Sequence, residues 1–226
     1  MQLQHVIIIF EIVVFLFAIS VHESAHAWMA SRCGDSTARM LGRVSLNPIR
    51  HIDVVGTIVL PAIALYTGLP MIGWAKPTPV NPLNFKNPVR DDILTSVAGP
   101  ASNFLIATAS VAVMGLIAWT IPGGRAVVAA FAGGAALESS SILLPVVLLL
   151  YLSMQINVLL GIFNLIPVPP LDGSHVLRHF LSEPVRRFYD TFGMVGLIAL
   201  FLFGGGLLQS LVTPVLKLFD SLLMRF

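Results

Sequence analysis

Charge is scarce in this chain: 11% of its residues are Asp, Glu, Lys or Arg, against 56% hydrophobic, and the mean hydropathy is +0.89. So few charged side chains cannot cover a water-soluble globule of 226 residues, which excludes an ordinary soluble domain. Cysteine is nearly absent. Cys33 stands alone, so neither an internal disulfide nor a Cys-x-x-Cys metal knuckle can form. No run of Lys or Arg is interleaved with aromatics, so the net charge of +2 and the pI near 9.0 carry no nucleic-acid reading. The first five residues lack Lys and Arg, and the apolar run behind them has no small-residue cleavage site. That segment reads as part of the mature protein rather than as a signal peptide.

What is abundant is apolar sequence in stretches of about 20 residues, enough to cross a hydrocarbon core of roughly 30 Å as helix. Four full spans are expected, over residues 6–30, 92–121, 142–165 and 192–212. Residues 54–72 are also apolar, but Gly56, Pro61, Gly68 and Pro70 interrupt them. Each weakens or removes helical hydrogen bonds that lipid cannot replace, so a broken or re-entrant segment is expected there. Alternation around 41–46 predicts a short strand, and Pro77, Pro79, Pro82 and Pro88 predict an extended strand or edge over 73–88.

The expected fold class is thus an all-α polytopic membrane protein, one membrane-embedded domain over 1–226 with short β-strands near the cytoplasmic face. Ten of the thirteen Lys and Arg fall within 31–53, 73–92 and 173–190. The positive-inside rule puts these segments on the cytoplasmic side of a cell membrane, with both termini opposite. The lipid bilayer is the expected surroundings, and nothing in the sequence decides the oligomeric state; Gly204 to Gly206 permit close helix packing without proving a dimer.

Inside the first span lies His22-Glu23-Ser24-Ala25-His26, an HExxH sequence. Residues four apart share a helix face, so both imidazoles can reach one ion with Glu23 beside it. Such side chains are expensive in a membrane span unless they are paired, hydrated or metal-bound. A catalytic zinc site needs a third protein ligand and an open position. Asp172, in the proline-broken stretch after the third span and on the expected cytoplasmic side, is the leading candidate. His175 and His179 compete but lack an intervening acid, and His5 and His51 read as interfacial or loop residues.

Two other classes stay open on these residues: an ion or proton transporter using the same His/Glu/Asp cluster, and a metal-binding membrane protein without turnover. The hydrolytic reading is chemically direct. Zinc lowers the pKa of bound water to about 7, Glu23 takes its proton, and the metal polarises the scissile carbonyl. An unpaired edge over Ala75 to Asn81 could accept an unwound peptide by β-addition.

The chain resembles the site-2 protease family of intramembrane zinc metalloproteases. The likeness rests on HESAH at 22–26 and on the stretch from Asn164-Leu165-Ile166-Pro167 to Asp172-Gly173. Ala98-Gly99-Pro100-Ala101-Ser102-Asn103, and Gly73-Trp74-Ala75-Lys76-Pro77 leading to Val80-Asn81-Pro82, are similar to the family as well. The resemblance implies one zinc ion (Zn2+) per chain held by His22, His26 and Asp172, with Glu23 as general base and Asn164 near the reacting carbonyl. It also implies transmembrane proteins or peptides as substrates and a multi-pass place in a bacterial or archaeal plasma membrane. The sequence leaves no room for a PDZ insertion or a CBS domain, which likens it to the short, core-only members. Gly99 and Asn103 read as helix packing and interhelical hydrogen bonding rather than chemistry.

Overall fold

The computed structural model describes residues 3–59, 63, 66, 74–134 and 141–226. They are mostly helical: α1 (Leu3–Cys33), α2 (Thr37–Met40), α3 (Pro88–Thr120), α4 (Gly124–Ala132), α5 (Leu144–Leu165), α6 (Asp172–Arg178), α7 (Glu183–Phe203) and α8 (Gly205–Leu223). Short 3-10 turns at Pro48–Arg50 and Pro82–Asn84 and a π-helical turn at Val54–Val59 join them. Four helices, α1, α3, α5 and α8, are long and apolar enough to cross a membrane. The chain divides into two compact units, Ile19–Gly99 and Met1–Ala18 with Pro100–Phe226.

In the second of these units, α5 packs against α4, α6 and α8. Its apolar core is built from Val14, Val111, Met114, Val128, Val147, Met154, Val158 and Leu223, with further side chains around them. Hydrogen bonds between helices cross the same layer. Asn103 Nδ2 donates to Asn157 Oδ1 at 2.9 Å, both residues fully buried, and the Ser110 and Ser153 hydroxyls lie 3.1 Å apart. In an apolar surround each such amide needs a partner, and the expected packing role of Asn103 is what the helix pair provides.

The unit Ile19–Gly99 has a smaller core of Ala30, Cys33 and Phe85, with Met29, Val80 and Leu94 against it. It begins in α1, which holds no proline or glycine and at 31 residues is about 46 Å long. Gly34 ends the helix in the left-handed region, at φ +116°, where a Cβ would lie 2.8 Å from the Asn84 carbonyl. Asp35 then ties the loops together. Its carboxylate accepts from the Thr37 amide and hydroxyl, the Asn81 amide and the Asn84 side chain.

Two expectations change, the strands and the last span, and a third falls largely outside the described residues. No β-strand forms among the described residues: 41–46 is turn and irregular backbone. Leu41, Val44 and Leu46, the apolar half of the alternation, are exposed rather than turned to a core, so no buried face fixes a strand register. The stretch 74–81 is extended but unpaired as strand. Of the expected re-entrant segment 54–72, residues 54–59 form the π-helical turn, whose amides at Val55 and Gly56 are capped by Asp53. Residues 60–62, 64, 65 and 67–72 lie outside the described residues. The span expected over 192–212 is interrupted at Gly204, between α7 and α8, where three successive glycines carry no side chain to favour helix. The candidate span there is Gly205–Leu223.

Candidate metal centre

His22, Glu23 and His26 lie in the C-terminal half of α1 and belong to one unit. The helical repeat turns both imidazoles the same way, and their Nε2 atoms lie 3.0 Å apart with the rings at 82°. Two nitrogens each bound to one tetrahedral zinc at 2.0–2.1 Å would be separated by about 3.3 Å, so the pair stands within a few tenths of an ångström of a chelating arrangement. Both residues are buried, each 7% exposed.

The surroundings fix that geometry. His26 Nδ1 is 2.7 Å from the Thr95 carbonyl in α3. A carbonyl can only accept, so Nδ1 carries the proton and the Nε2 lone pair is left for a metal. Room for an ion comes from Gly99, one turn further along α3. A Cβ there would sit 2.3 Å from His26 Nε2 and 2.6 Å from His22 Cε1. The donor set and the space at Gly99 both fit zinc.

Glu23 is half-buried and held by the extended stretch after Trp74. Its Oε2 accepts from the Thr78 amide at 2.9 Å and from the Thr78 hydroxyl at 2.6 Å, and the same hydroxyl lies 3.0 Å from the Glu23 carbonyl. Oε1 has no hydrogen bond among the described residues. The stretch is itself clamped. Arg43, 6% exposed, donates to the carbonyls of Arg50, Lys76 and Pro77; the Lys76 amide donates to His51 O; and the Trp74 carbonyl accepts from Thr57. Much of the expected open edge over 75–81 is therefore engaged already, and Pro77 and Pro79 have no N–H to offer.

Burial pushes the Arg43 guanidinium below its ordinary value, opposed by the charge of Glu23. His51 is also pushed down, first by burial, and is a fully buried loop residue. Its Nε2 lies 2.7 Å from the Ser45 carbonyl.

Asp172 and Asn164 belong to the other unit. Asp172 opens α6, where its carboxylate faces the positive end of the helix dipole, and one of its oxygens is buried. The Asp-Gly pair has a packing reason. A Cβ on Gly173 would lie 2.2 Å from the Leu165 carbonyl, so only glycine lets α6 fold back against the end of α5. Asn164 Nδ2 donates to the Leu160 carbonyl at 3.0 Å, bonding the last turn of its own helix. His175 and His179 fall at the end of α6.

Thr78, Thr95 and Arg43 are absent from the sequence-based site. For Thr78 a signal existed: between Pro77 and Pro79 it supplies the one amide donor of that tripeptide. Nothing local marks Thr95 or Arg43.

The family model described as Peptidase family M50 matches residues 10–203. The chain is 32% identical to a protein of Bacillus subtilis (strain 168) carrying the provisional name zinc metalloprotease YwhC, over 93% of this chain and 91% of that one. It is 27% identical to a protein of Mycolicibacterium smegmatis (strain ATCC 700084 / mc(2)155) provisionally named zinc metalloprotease Rip2, over 76% of this chain and 58% of that one. No solved structure gives a significant match.

Proposed function

Because the chain belongs to peptidase family M50, we propose that His22, His26 and Asp172 hold its zinc and that Glu23 is the general base of peptide-bond hydrolysis. The protein is a multi-pass membrane zinc metalloprotease, in keeping with its family, the names of its relatives and its four apolar helices. The observation that carries the residue assignment is the pair of convergent Nε2 atoms, with Glu23 between them in sequence and anchored through one oxygen only.

Zinc bound there supplies Lewis acidity, polarising a scissile carbonyl and lowering the pKa of water. The chain supplies the rest. Thr78 holds Oε2 of Glu23, which leaves Oε1 to take a proton from the attacking water and return it to the leaving amine nitrogen. Thr95 keeps the His26 proton on Nδ1, so the ring stays a donor of its Nε2 lone pair. Asp172 is the third ligand on chemical grounds: a catalytic site takes three protein ligands, and a carboxylate also lowers the net charge of the centre. Asn164 is assigned a place near the reacting carbonyl, with one of its two Nδ2 hydrogens given to the Leu160 carbonyl.

The substrates are transmembrane proteins or peptides cut close to the cytoplasmic surface. HExxH lies seven residues from the end of α1, about 10 Å along the helix, within reach of water at the membrane face. The test is cleavage of a single-span protein by the wild type and by Glu23→Gln, with zinc measured in both. Cleavage is expected only from the wild type, with zinc equal in the two. Cleavage by the variant at the wild-type rate refutes the assignment of Glu23.

A further inference from the structure

A second feature of the unit Ile19–Gly99 is a cleft of about 540 Å³ whose walls include Arg43, Arg50 and Lys76, with Leu41, Ile49 and Ile52 beside them. The three cations meet no carboxylate in an ion pair among the described residues. Arg43 uses its guanidinium on the carbonyls of Arg50, Lys76 and Pro77. Arg50 donates to the Gly42 carbonyl at 2.8 Å and rests over that glycine, where a Cβ would collide with its guanidinium. Lys76 is exposed at the mouth. Glu23 is the acid whose charge reaches Arg43, and it is already bonded to Thr78. Three positive charges around one concavity attract an anion.

The rim identifies the anion further. Leu41 is 63% exposed and Ile49 76%, and Met40, Val44 and Leu46 are exposed beside them. A free anion has no use for an apolar rim, whereas a phosphate carrying acyl chains needs both parts. The loop also follows directly on α1, a helix long and apolar enough to cross the bilayer, and so stands where headgroups are.

We infer that this cleft binds the phosphate of an anionic phospholipid, held by Arg50 and Lys76 over the buried Arg43, with the acyl chains along Leu41 and Ile49. Lys76 and Pro77 sit immediately before Thr78, which anchors Glu23. Lipid in the cleft therefore steadies the base. That consequence rests on the proteolytic reading above; the binding itself does not.

The test is native mass spectrometry of the zinc-loaded full chain in mild detergent. It is titrated with dioleoyl phosphatidylglycerol, dioleoyl phosphatidylcholine, inorganic phosphate or an acidic peptide. One phosphatidylglycerol is expected to be retained in preference to phosphatidylcholine. Retention is expected to weaken on the order of fivefold in Lys76→Gln and about 30-fold in Arg50→Gln/Lys76→Gln. Both side chains are exposed, and zinc content checks that each variant keeps its fold. Equal retention of the two lipids, no change in either variant, or preferential uptake of phosphate or of the peptide would overturn the inference. A wild-type chain that retains phosphatidylglycerol but cleaves no single-span substrate would count against the proteolytic reading alone.

Discussion

Replacing Gly99 with alanine adds one methyl group where the two imidazoles converge. The new Cβ would stand 2.3 Å from His26 Nε2 and 2.6 Å from His22 Cε1, while carbon and its neighbours settle at about 3.5 Å. One of the rings, or α3, must therefore retreat by about 1 Å. Metal sites keep their ligand distances within about 0.2 Å, so the displaced nitrogen is no longer a ligand. Changes to groups that merely orient a ligand cost 10–100-fold in metal affinity. Intrusion on the ligating atom itself should cost at least about 100-fold. The same substitution favours helix, since alanine exceeds glycine by about 1 kcal/mol in a helix interior, so the zinc-free chain should keep its helicity. Zinc content after dialysis against a graded chelator, read beside circular dichroism, is the assay. A Gly99→Ala chain that holds zinc as tightly as the wild type would refute the reasoning, because the space at Gly99 would then have nothing to do with the ion.

Thr78→Val removes the hydroxyl from Glu23 Oε2 and keeps the backbone amide. A hydrogen bond to a charged group is worth about 1.5–3 kcal/mol, so kcat should fall by roughly 10–100-fold with zinc content unchanged; an unchanged kcat would remove Thr78 from the account. Asp35 offers a pH test. Burial would raise its carboxyl, but the hydrogen bonds from Thr37, Asn81 and Asn84 outweigh it and hold the group below its ordinary 3.8. Its contribution to stability is then present above that value and fades as pH falls through the lower folded-state value. Asp35→Asn should therefore lower the Tm at neutral pH, with the gap closing in strong acid, and a gap independent of pH would contradict the assigned bonds.

The parts of the site that could be read from the sequence are those one helix makes by itself. The i, i+4 spacing of His22 and His26 dictates their convergence whatever surrounds them, and the long apolar runs dictate α1, α3 and α5. What could not be read is long-range. Thr95 and Gly99 reach His26 from a helix about 70 residues away in sequence, and Thr78 reaches Glu23 across 55. Alternation at 41–46 misled for a physical reason: the strand rule assumes that one face is buried in protein, and Leu41, Val44 and Leu46 are exposed. The break at Gly204 was visible as three glycines in a row, but an apolar window averages over such a tract.

The central claim is most directly tested by zinc stoichiometry and affinity, measured by equilibrium dialysis on the wild type and on His22→Ala, His26→Ala and Asp172→Ala. One zinc per wild-type chain is expected, with each single substitution weakening it severely. A wild-type chain without zinc, or an Asp172→Ala chain that binds it unimpaired, would contradict the account.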